Sequence, residues 1–108
     1  MNISDYDLVI SIAGNTQIPC YCAIKAKGYE VTVYSYTDDE YMFWNAEKDN
    51  RLFSATNPIE LLGLISMWEM RGDKWRLKDK NNPNEIKDYD ELLDNAPVYQ
   101  YHEIDDDE

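Results

Sequence analysis

Two cysteines and one histidine are the only thiol and imidazole groups in this chain. Cys20 and Cys22 stand two residues apart, and on a helix they would point about 200° away from each other. That spacing neither closes a disulfide nor converges on one metal ion. Both read as reduced, small, apolar side chains. His102 sits beside Glu103 near the acidic end of the chain, a poor place to hold a general base, and with either cysteine it makes a dyad by inventory only. Carboxylates are the abundant reactive groups, 22 against 10 basic residues. Acid–base work by a carboxylate pair needs an apolar cleft that raises one pKa, whereas most acids here fall in turns and in the C-terminal stretch. Ala13-Gly14-Asn15-Thr16 could present a helix N-terminus to an anion. With one glycine and no Lys-Ser/Thr sequel it is not a phosphate loop. The residue inventory predicts no catalytic centre, no metal site and no cofactor.

Charge speaks instead about partners. The net charge is −12, and the 24 residues from Glu85 to Glu108 hold ten carboxylates against one base, Lys87. Such a chain repels a phosphate backbone and an anionic membrane surface, which argues against direct nucleic-acid or membrane binding. Lys74, Arg76, Lys78 and Lys80 around Trp75 form the only basic stretch. They are expected to pair internally with the acidic C-terminal helix. No apolar run approaches the roughly 20 residues of a membrane span, and the first residues lack the basic and apolar regions of a signal peptide. A cytoplasmic protein is expected.

Two groups of residues fit a protein-binding surface. Tyr34 and Tyr36 on one strand face, followed by Asp38, Asp39, Glu40 and Tyr41, combine large contact area at low rotamer cost with acids that steer a basic partner. Asp88, Asp90, Glu91 and Asp94 form the second group, on an acidic helix. The competing readings are ordinary cross-strand tyrosine pairs and charge that serves solubility.

The elements that must position these groups follow from pattern. Tyr6 to Ile12 is a short β-branched run ended by the Gly14 turn, and predicts a strand. Asn15 or Thr16 caps the helix that follows, with Pro19 tolerated in its first turn, Ile18, Cys22 and Ala26 on one face, and Gly28 as its stop. Tyr29 to Tyr36 alternates with period two, Tyr29, Val31 and Val33 sharing one side. The Thr37–Glu40 turn and then Lys48-Asp49-Asn50 make two successive hairpins through Tyr41–Glu47 and Arg51–Ala55. If the first two strands are neighbours, the helix between them makes them parallel. Asn57-Pro58 with Glu60 is a strong helix start. Residues 59–70 are apolar nearly all round, predicting burial on more than one side, with close packing at Gly63. Asp88 to Asp94 predicts a short acidic helix packed through Tyr89, Leu92 and Leu93, and Val98–Tyr101 an edge strand.

The expected architecture is therefore a two-layer α+β domain over residues 1–104, followed by an acidic, disordered tail at 105–108. Its small mixed sheet, β-α-β and then two hairpins, is packed by a buried helix at 57–71 and a short C-terminal acidic helix. In size, acidity, tyrosine content and lack of catalytic apparatus the chain resembles bacterial toxin-immunity proteins. That resemblance implies tight one-to-one binding to a cognate toxin domain, a basic partner of nuclease type. The alternative reading is a DNA mimic or regulatory protein that shields a nucleic-acid-binding partner.

Overall fold

A computed structural model describes residues 3–36, 41–77 and 83–98. The chain divides into two compact units, Met1–Trp75 and Arg76–Glu108, although its composition offers no linker. The expected tail at 105–108 lies outside the described residues.

The first unit is built from α1 (Gln17–Ala26), three strands, β1 (Glu30–Tyr34), β2 (Phe43–Lys48) and β3 (Arg51–Ala55), and α2 (Pro58–Arg71). It is an α+β fold, as its alternation of helical and period-two segments predicts. The sheet is antiparallel throughout in the order β1-β2-β3, which corrects the expected mixed sheet. The predicted first strand does not form. Tyr6–Ile12 runs without regular structure between two short 3-10 turns, Ile3–Asp5 and Gly14–Thr16. Its side chains have strand propensity, but a strand exists only with a partner to take its N–H and C=O groups, and among the described residues it has none, the sheet ending at β1.

The β2–β3 hairpin turns on Asp49 and Asn50, both at positive φ (52° and 61°). Such a two-residue turn carries a twist that matches its flanking strands. It sets the register Lys48↔Arg51, Ala46↔Phe53, Trp44↔Ala55. Because side chains alternate across a strand, Val31, Val33, Trp44, Ala46, Phe53 and Ala55 share one face. Both helices cover that face. The buried core is Ile24 from α1, Tyr29, Ala46 from β2, and Leu61 and Ile65 from α2. Tyr29 and Phe53 meet edge to face at 5.8 Å, and Phe53 meets Trp68 at 5.6 Å. Burial, reinforced by the nearby Glu69 carboxylate, pushes the Tyr29 phenol above its ordinary range.

The helix boundaries follow their predicted signals more closely than the helix faces do. α1 ends where Gly28 takes φ 94°. Its buried side chain is Ile24, while Ile18, Cys22 and Ala26 are exposed. The expected stripe is thus corrected: apolar residues surround α1, so periodicity alone did not choose a face. In α2, the Asn57 side chain accepts from Glu60 N at 2.8 Å, and Glu60 Oε1 accepts from Thr56 N and Thr56 Oγ1. These Thr56 hydrogen bonds hold the Glu60 carboxyl below its usual range. α2 buries one face, through Pro58, Leu61 and Ile65, and leaves Leu64 37 % and Met70 86 % exposed. Gly63 has no neighbour within 4 Å of where a Cβ would stand. The predictions of burial on more than one side and close packing at Gly63 are both corrected.

Gly72, at φ 83°, turns the chain out of α2 and delivers Asp73 to the Arg51 guanidinium. Asp73 accepts from Arg51 Nε at 2.8 Å and Nη2 at 2.6 Å, and from the Trp68 indole N–H at 2.7 Å. The guanidinium also lies over the Trp68 ring, 5.2 Å from its centre. Hydrogen bonds from Arg51, then from Trp68, hold the Asp73 carboxyl far below the usual carboxylate range. A second tie joins the helices, where Lys27 Nζ meets both Glu69 oxygens at 2.9 and 3.0 Å.

The second unit contributes α3 (Pro83–Asp94), which begins five residues earlier than the acidic pattern alone indicated. Proline at the first helical position accounts for the earlier start, since the first N–H groups have no intrahelical partner. Tyr89, Leu92 and Leu93, expected to pack, are exposed. Val98 lies in no strand, and residues 99–101 of the predicted edge strand lie outside the described residues.

Candidate functional site

Within the first unit, the face of the sheet opposite α1 and α2 carries the site. Alternation that sends Val31 and Val33 inward sends Glu30, Thr32 and Tyr34 outward, opposite Glu47, Asn45 and Phe43 on β2. Leu52 and Ser54 of β3 complete this face. Apart from Phe43 and Asn45, which are partly covered, these side chains are exposed.

At one end of the face stands an aromatic cluster. Tyr34 stacks on Phe43 across the strands with ring centres 5.4 Å apart and planes at 25°. Tyr36 meets Tyr34 edge to face at 5.7 Å and Phe43 at 5.8 Å. The predicted tyrosines therefore make cross-strand pairs and are exposed as well. Mutual contact holds the rings in place, so a partner would meet a fixed shape. Phe43 was not among the predicted residues. Its signal lay in the register, which the eight-residue connection between β1 and β2 did not disclose. Tyr41 is exposed two residues before β2, whereas Asp38, Asp39 and Glu40 lie outside the described residues.

At the other end, Glu30 and Glu47 sit directly opposite each other. Like charges at facing positions destabilise a strand pair, so this pair keeps a negative field on the face at a cost to the fold.

Asp88, Asp90, Glu91 and Asp94 stand on α3. At 100° per residue, Ile86, Asp90 and Asp94 occupy successive turns of one side of α3, with Tyr89 and Leu93 one turn apart on the flank beside them. Lys87 and Glu91 approach to 3.9 Å at i,i+4, a spacing worth little at the surface.

Sequence reasoning also missed a groove of about 400 Å³ on the helix side of the first unit, lined by Gln17, Ile18, Tyr21, Trp44, Asn57 and Pro58. Tyr21 and Trp44 meet there edge to face at 6.2 Å. Its lining offers apolar contact and amide groups, without a carboxylate, cation or thiol. Among the described residues no three His, Cys, Asp or Glu side chains gather as a metal site. No helix among them is long and apolar enough to cross a membrane. No known protein family matches the chain, and no curated protein or solved structure matches it either.

Proposed function

We propose that this chain is a small acidic binding protein of the cytoplasm, an immunity-type protein that neutralises a basic, nuclease-type bacterial toxin domain by direct one-to-one contact. The observation that carries this reading is the aromatic cluster of exposed Tyr34 and Tyr36 with half-buried Phe43, on the sheet face opposite α1 and α2. Rigid aromatic rings that lose their water on docking supply the centre of an interface. The opposed Glu30 and Glu47 add charge complementarity, because cations arriving from a partner would relieve their repulsion. The net charge of −12 raises the encounter rate with a basic surface at long range.

The test is association kinetics with a purified basic toxin domain of nuclease type. The association rate should fall steeply as salt rises, and Tyr34→Ala with Tyr36→Ala should speed dissociation by roughly tenfold or more. Equal association rates at low and high salt would remove the steering mechanism. Unchanged dissociation in the tyrosine variant would remove the sheet face from the interface. Displacement of the chain by duplex DNA would favour the DNA-mimic alternative.

A further inference from the structure

The segment ahead of α1 has the composition of a strand and no strand to pair with. Among the described residues, no backbone hydrogen bond joins residues 6–12 to another element. Leu8, Ile10 and Ile12 are 73, 78 and 82 % exposed. In extended form these three aliphatic side chains share one side, with Asp7, Val9 and Ser11 on the other. The same molecule carries a matching vacancy in its sheet. Among the described residues β1 is an edge strand, and its backbone groups that point away from β2 meet no further strand of them. Its alternation matches that of the segment, with Val31 and Val33 toward the helices and Glu30, Thr32 and Tyr34 toward the open face. Val33 points to the core side yet remains 41 % exposed, so the apolar layer stops short at this edge.

We infer that two copies of this chain associate by reciprocal strand addition, the Tyr6–Ile12 segment of each pairing with the β1 edge of the other. Leu8, Ile10 and Ile12 then extend the apolar layer beyond Val31 and Val33, and Val9 and Ser11 join the open face. Strand addition satisfies main-chain groups and sorts side chains by alternation. A twofold arrangement makes the contact twice with one pair of surfaces. Native sheets commonly guard their edges with proline or an inward-pointing charge. β1, Glu-Val-Thr-Val-Tyr, has neither on its core side.

The size of the contact sets its strength. The five residues of β1 span about 17 Å, and the pairing covers a strip about 10 Å wide. Counting both surfaces of two such contacts gives about 700 Å² of buried area, the size of a weak, transient interface. A weak dimer, populated between high micromolar and millimolar concentration, is expected. Each chain carries a net charge of −12, so added salt screens repulsion and tightens the dimer. Association with a basic partner has the opposite salt dependence, which separates this inference from the proposed function.

The experiment is sedimentation velocity on the full chain, from micromolar to millimolar concentration at low and high salt, with Ile10→Pro as the variant. Proline removes a ladder donor at a position exposed in the single chain, and thermal unfolding of dilute samples reports on the fold independently. The expected result is a concentration-dependent dimer, tighter at high salt, that Ile10→Pro reduces to monomer while the melting temperature of the dilute protein stays unchanged. A single monomeric species throughout overturns the inference. So does a dimer that survives Ile10→Pro, or one that salt weakens. A lower melting temperature for the dilute variant also overturns it, because the segment would then be supporting its own chain.

Discussion

Leu61→Ala tests how the helix layer holds the sheet. Leu61 is fully buried beside Ile24, Ala46 and Ile65. Truncation to alanine removes three carbons, about 2.4 kcal/mol at roughly 0.8 kcal/mol for each buried group. The cavity left in a rigid core raises this to about 3 kcal/mol or more. A unit the size of Met1–Trp75 has a total stability of roughly 4–11 kcal/mol, so one side chain accounts for a large share of it. The melting temperature should fall by about 12–24 °C. Leu64→Ala is the control, since Leu64 lies one turn along α2 and is 37 % exposed; it should cost less than about 1 kcal/mol. Urea unfolding followed by tryptophan fluorescence gives both values, with an unchanged slope showing that the midpoint alone has moved. Equal losses in the two variants would refute the assignment of the buried face of α2, and with it the placement of the core.

The acid limb of stability should depend on two carboxylates. Asp73 and Glu60 are both held below their ordinary pKa by hydrogen bonds that the unfolded chain lacks. Their contribution is therefore complete above the unfolded carboxylate range and disappears as pH falls below about 5 and through the lower folded values. Urea midpoints measured from neutral to strongly acidic pH should decline less steeply in Asp73→Asn than in the parent protein; parallel curves would contradict the role given to the Arg51–Asp73 pair. Glu30→Lys replaces a like-charged facing pair with an opposite one. It should raise stability by about 0.2–1 kcal/mol while slowing association with a basic partner, both readable on the same preparation by urea unfolding and stopped-flow mixing.

Local signals were legible where a residue's chemistry acts on its own backbone. Asn57-Pro58, Gly28 and Asp49-Asn50 each fix a cap, a stop or a turn within a few residues, and the sequence reading placed them correctly. What depended on distant partners was not legible. Tyr6–Ile12 has the composition of a strand, but whether it pairs is decided by the sheet edge, which no short window contains. α1 is apolar on several sides, so its buried face was decided by Tyr29, β1 and α2, not by its own period. Tyr34 and Tyr36 could be assigned to the outward face of a strand by alternation. Their contact with Phe43 required the register across a long connection. The groove at Tyr21 and Trp44 joins residues from α1, β2 and the start of α2, and no spacing in the chain announces it.

The pairing of Arg51 with Asp73 has a consequence for how the first unit comes apart. Arg51 opens β3, the chain passes through Asn57 into α2, and Asp73 brings the far end of that helix back to Arg51. β3 and α2 thus form a non-covalent ring of about twenty residues, whose closure costs little chain entropy because the loop is short. β2 is zipped to the same ring by a two-residue turn. These elements form one cooperative block, whose amides exchange with solvent last and together. β1, joined to the block along a single edge through a longer connection, is expected to open before it, which amide exchange would show as earlier loss of protection in β1.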